Sequence, residues 1–130
     1  LNTELEMDNI EKLIVKNGEK KIALEPVVIC SNINECKKTQ THTIKGKAPS
    51  FSTLKSVKSG DELLVDFNNM NPDNKGVTTL RNGTTVAGHL KNNNIEVIRD
   101  GAAFVRYKVY AEWRNRQEDI YGKIVYIFEA

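Results

Sequence analysis

The stretch Val105-Arg106-Tyr107-Lys108-Val109-Tyr110-Ala111-Glu112-Trp113 decides the fold. Val105, Tyr107, Val109, Ala111 and Trp113 form an unbroken period-two row, and Arg106, Lys108 and Glu112 fall between them. That alternation predicts a strand with one face in a core and the other in water. A short polar break over 114–119 leads to Tyr121-Gly122-Lys123-Ile124-Val125-Tyr126-Ile127-Phe128. This run is rich in β-branched and aromatic residues and reads as the returning strand of a hairpin.

Working outward, turn residues recur at short intervals. Asn17-Gly18 and Asn82-Gly83 are hairpin signals, because both residue types tolerate positive φ. They place strands over 10–16 and 19–24, and over 77–80 and 84–90. Ser59-Gly60-Asp61 introduces a strand over 62–67, residues 68–76 carry turn chemistry throughout, and Asp100-Gly101 turns into the long strand. Residues 50–57 give a weaker strand, and 95–98 a short one. Pro26 confines the run that follows it to a strand start or an edge. No segment makes a convincing helix; the best candidate is a short one within 26–37, where Ile29, Ile33 and Cys36 stand at helical spacing. The prediction is an all-β chain of seven to nine strands forming one antiparallel sandwich, with Val65, Phe67, Val105, Tyr107, Val109 and Trp113 inside. Residues 10–130 make that single domain, and the polar, acidic residues 1–9 are expected to be a flexible tether.

Composition narrows the function classes. A chain of 130 residues can bury a core of its own, and a net charge of +2 with Lys and Glu interspersed gives no basic face for nucleic acid. No apolar run reaches the roughly 18–20 residues that span a bilayer. A start at Leu1 rather than methionine fits a processed chain, with any signal or lipid anchor upstream.

Cys30 and Cys36 are the only cysteines. On a continuous helix they would lie about 9 Å apart in rise. The intervening Ser-Asn-Ile-Asn-Glu is turn-friendly, so a disulfide is expected. The competing reading, a metal site with His42, lacks any recognisable ligand spacing. His42 and His89 stand near no nucleophile elbow, and no phosphate-binding glycine pattern occurs. No catalytic residue, metal ligand or cofactor is therefore assigned. Residues 68–74 are rich in oxygen donors but lack the acidic spacing of a calcium loop. Asn82-Gly83-Thr84 matches a glycosylation acceptor, which the hairpin accounts for without a glycan. Phe104 and Tyr110 fall on the charged phase of the long strand and are the candidate binding residues, as an exposed aromatic patch.

The succession Ser59-Gly60-Asp61-Glu62-Leu63-Leu64-Val65-Asp66-Phe67, Asn71-Pro72-Asp73, Asn94-Ile95-Glu96-Val97, the long strand to Trp113, and Ile124-Val125-Tyr126-Ile127-Phe128 resembles a pattern of small secreted proteins and lipoproteins of Gram-positive bacteria. Some members carry a nearby cysteine pair upstream, as Cys30 and Cys36 would be. The resemblance covers about the last seventy residues. It implies an immunoglobulin-like sandwich, a cell-surface or extracellular location and no particular activity. The functional expectation is an extracytoplasmic, non-enzymatic binding or sensing module for an extracellular protein or glycan, touching membrane only through an upstream anchor. The alternative is a surface hydrolase or metal-dependent enzyme using His42 and loop carboxylates.

Overall fold

In β9 (Arg106–Arg114) the side chains of Tyr107, Val109, Ala111 and Trp113 all point into the core. Val105 extends the row by exchanging backbone hydrogen bonds with Ala130 at 2.8 and 3.0 Å. The partner β10 (Ile120–Glu129) pairs antiparallel with β9 and sends Ile124, Tyr126 and Phe128 to the same side. The turn between them is wound on Asn115, whose Oδ1 accepts the N–H groups of Gln117 and Asp119 at 3.0 and 3.1 Å.

The computed structural model describes residues 2–38, 52–88 and 90–130. Within them lie ten strands in two sheets, an all-β, mostly antiparallel sandwich. One sheet runs β3 (Val27–Cys30), β10, β9, β6 (Asn74–Arg81), β7 (Thr84–Gly88), with the two-residue β4 (Ser52–Thr53) added parallel to β10. The other runs β2 (Lys20–Leu24), β1 (Leu13–Asn17), β5 (Glu62–Asp66), β8 (Asn94–Glu96). Leu13, Val15, Leu24, Leu63, Val65, Ile95 and Val97 from the smaller sheet close on Val77, Val109, Tyr126 and Phe128. All six residues expected inside are buried.

Two expectations are corrected. The first hairpin closes one residue later than Asn17-Gly18. Asn17 pairs with Lys20, so Gly18-Glu19 form the two-residue loop, with Gly18 at φ +62°. A glycine at the first central position suits a type II′ turn, and this register keeps Leu13 and Val15 on the buried phase. Asn17 is thereby left to donate its amide to Asp61 Oδ2 at 3.1 Å. That carboxylate also accepts the Lys58 backbone N–H at 2.9 Å. The Lys58 bond first, then the Asn17 bond, holds the Asp61 carboxyl below its usual pKa.

Second, residues 2–9 are docked rather than tethered. Leu5 is buried in the core cluster, and its N–H donates to the Ser31 carbonyl at 2.8 Å. Asn115 Nδ2 donates to the Asn2 carbonyl at 3.0 Å. Gly122 makes room for this: a Cβ there would meet the Leu5 side chain at 2.9 Å.

The segment 26–37 supplies both the strand after Pro26 and the short helix read from it. The β-branched Val27-Val28-Ile29 continue as β3, and only Ile33–Lys38 coil into α1. Asn32 caps it, its Oδ1 accepting the Glu35 N–H at 2.8 Å. This break in the chain brings Cys30 and Cys36 to a Cα–Cα distance of 5.1 Å, and they are disulfide-bonded. Closing so short a loop contributes about 2 kcal/mol in the chain-entropy account. The strand count of ten exceeds the expected seven to nine through such short pieces as β4. No helix among the described residues is long and apolar enough to cross a membrane.

A cleft on the open side of the sandwich

The two sheets are unequal. At the end where β8 closes the smaller sheet, the larger one continues through β6 to β7. Among the described residues β7 has a strand neighbour on one side only, and every one of its residues from Thr84 to Ala87 is exposed. Val86 pairs with Thr79, which pairs with Tyr107, so Val86 stands on the core phase of its sheet. It is nevertheless 40% exposed, and Ile98, beyond β8, is 46% exposed. Between these elements lies a cleft of about 500 Å³, lined among others by Val77, Val86, Gly88, Ile95, Ile98 and Tyr107.

Three tight turns frame this end. Asn82-Gly83, Asn92-Asn93 and Asp100-Gly101 each have positive φ at both positions, the geometry of type I′ turns. Arg81 ties two of them together. Its Nη1 donates to the Ile98 carbonyl at 2.8 Å and approaches Asp100 Oδ2 at 3.5 Å. The Asn82 side chain donates to the Asp100 carbonyl at 3.4 Å.

The chemistry of the cleft resides in its unmatched polar groups. The Tyr107 ring is buried and stacked on Phe128, with centroids 5.0 Å apart. Its hydroxyl is also buried and has no hydrogen-bond partner among the described residues, and the same holds for Arg99 Nε. Burial raises the Tyr107 pKa, opposed by the positive charges of Arg99 and Arg81. Tyr126 provides the contrast. Burial raises its pKa too, but its hydroxyl donates to the Glu11 carbonyl at 2.7 Å. Among the described residues one buried tyrosine is satisfied and the other is not. The Tyr107 O–H beside the Arg81 guanidinium, which lines the cleft with it, suits an anionic acceptor, above all a carboxylate. Glu62, Glu96 and Lys91 make a mixed polar rim around it.

The residues expected to bind are placed differently. Phe104 lies before β9 rather than in it, 53% exposed. Tyr110 is half-buried in the middle of β9, its ring lying over Gly76, where a Cβ would collide with it. The two rings do not stack on each other, and neither lines the cleft. His42 and His89 lie outside the described residues. In the loop read as oxygen-rich, Asp73 Oδ2 accepts the Arg114 N–H at 2.6 Å and Asn68 donates to the Lys12 carbonyl at 2.9 Å. Among the described residues no group of three or more His, Cys, Asp and Glu side chains is placed to hold a metal ion.

Sequence reasoning missed Arg81 and Arg99, and took Tyr107 for core alone. One signal was present: Val77, Thr79 and Arg81 share a phase, which puts a cation on the core side of a strand. Comparison of the chain with protein-family models, with curated proteins and with solved structures finds no match.

Proposed function

We propose that the protein is an extracytoplasmic, non-enzymatic binding module that seats a carboxylate-bearing ligand in the cleft between β6–β7 and β5–β8. The observation that carries this reading is the Tyr107 hydroxyl, buried, borne by a residue that lines the cleft and without a partner among the described residues. A buried hydroxyl left without a partner costs about 1–3 kcal/mol, and a ligand acceptor recovers that cost on binding. Apolar walls from Val77, Val86 and Ile95 suit the body of such a ligand, and Arg81 suits its charge. The Cys30–Cys36 disulfide supports an oxidising compartment, as does the resemblance to secreted proteins.

The test uses 3-phenylpropionate, a carboxylate on an apolar body, titrated into ¹⁵N-labelled protein, with 3-phenylpropanamide as the neutral control. The expected result is saturable shifts at the amides of Val86–Gly88 and Asn94–Ile98 with millimolar affinity, as the size of the probe dictates. The amide control binds several-fold more weakly. Shifts gathered around Phe104, or around the N-terminal segment, would place binding elsewhere and refute the assignment.

A further inference from the structure

We infer that the natural occupant of this cleft is an extended peptide that adds as a strand to the outer edge of β7 and turns a glutamate side chain inward toward Arg81. The inference rests on the binding reading above and names its ligand class.

Edges of sheets are ordinarily blunted, because unpaired N–H and C=O groups template pairing with other chains. Among the described residues, three of the four edges are blunted in recognisable ways. β2 presents Lys20 and Lys21. β3 follows Pro26 and ends at the disulfide beside α1. β8 is three residues long, carries the charged Glu96 on its outward phase, and is engaged on either side of it. Asn94 exchanges backbone bonds with Lys91 at 3.0 and 3.2 Å, and the Ile98 carbonyl beyond it is taken by Arg81. β7 has none of these devices. Its sequence Thr84-Thr85-Val86-Ala87-Gly88 contains no proline and no charge.

The hydrogen-bonding phase follows from the turn. A two-residue loop closes on a hydrogen-bonded pair, here Arg81 and Thr84, and bonding alternates along an antiparallel ladder. Thr79–Val86 and Val77–Gly88 are the next bonded pairs, so the N–H and C=O groups of Thr85 and Ala87 face outward. An added strand finds four backbone partners there. It also covers the exposed core phase of β7. Its residue beside Val86 is apolar, extending the row Phe128–Tyr107–Thr79–Val86. Its residue beside Thr84 lies in the row of Arg81, and a carboxylate there meets a guanidinium that also acts on Tyr107. Arg81 meets Ile98 and Asp100 through Nη1 alone, and the rest of its guanidinium selects an acidic residue at this one position of the peptide; Glu has the longer reach of the two acids. Main-chain pairing then supplies affinity, and the two inward residues supply specificity.

The probe is the end-blocked peptide Thr-Val-Thr-Glu-Thr-Val-Thr, with Gln or Lys in place of Glu as controls. Against it stands the variant Ala87→Pro, which removes an outward N–H without breaking the ladder to β6. We expect the Glu peptide to shift the β7 amides, the Lys peptide to bind at least about tenfold more weakly, and Ala87→Pro to lose binding while keeping the native spectrum elsewhere. Peptide binding that survives Ala87→Pro would overturn strand addition. Absence of peptide binding while 3-phenylpropionate still shifts the cleft amides would reject the peptide and leave the binding reading standing. A dimer of the protein alone, seen in sedimentation and abolished by Ala87→Pro, would assign the edge to a second copy of this chain and overturn the proposal.

Discussion

Phe128→Ala is expected to cost about 4 kcal/mol, because removing a fully buried aromatic side chain loses its transfer energy and leaves a cavity. Phe128 has no exposed surface and stacks on Tyr107, its cross-strand partner. On its other side it pairs with Ser52 of β4. Closely packed strands on both sides cannot collapse into the space, which favours the upper part of the usual 3–5 kcal/mol range. For a chain of this size the melting temperature falls by about 15 °C. Urea unfolding measures it, and a loss below about 2 kcal/mol would mean that the β9–β10 row is not the centre of the core.

The second large effect lies on the opposite face of the same hairpin. Glu112 and Lys123 stand directly opposite each other, Nζ to Oε2 at 3.2 Å, with each side chain only 10% exposed. Arg114 approaches the other oxygen of Glu112 at 3.6 Å. Lys123→Met strands a nearly buried carboxylate with this single, longer ion-pair contact, and is expected to cost about 3 kcal/mol. The double substitution Glu112→Leu with Lys123→Met removes both charges and should cost about 1 kcal/mol or less, since a buried pair does little better than an apolar replacement. The cycle therefore predicts a coupling near 2 kcal/mol or more. Additive losses would show that water screens the pair.

The same hairpin shows what can be read from a sequence. Its core face was legible because alternation over nine residues leaves one phase apolar throughout. Its other face was not. Lys123 reads as a solvent residue, yet it is buried, and Val125 beside it is fully buried, on a strand that packs against α1. That cover comes from a six-residue helix too short to reveal its own period. Leu5 was illegible for a related reason: one leucine among acids and amides has no pattern, and only the missing side chain at Gly122 gives it a seat. The Asn82-Gly83 hairpin was read correctly, because type I′ geometry calls for those residues at both positions. At Asn17-Gly18 the same rule slipped by one, since the buried phase of β1 outweighs the turn preference of a single asparagine.

The cleft was beyond reach of the sequence for a topological reason. It exists because one sheet outruns the other by β7, and strand counts do not reveal which sheet each strand joins. Tyr107 sits in the apolar row and looks like core. Only its neighbours among the described residues separate it from Tyr126, whose hydroxyl has the Glu11 carbonyl.

The central claim, that the Tyr107 hydroxyl has no partner among the described residues and is held for a ligand to meet, is tested most directly by the stability of Tyr107→Phe. Deleting a structural hydroxyl destabilises a fold, as Tyr126→Phe should by about 1 kcal/mol. Deleting one that is buried and unmet should not. Urea unfolding of Tyr107→Phe is predicted to show a stability equal to or up to about 1 kcal/mol above that of the parent, together with weakened binding of 3-phenylpropionate. A loss of about 1 kcal/mol or more would show that the hydroxyl already serves the fold, and would contradict the account.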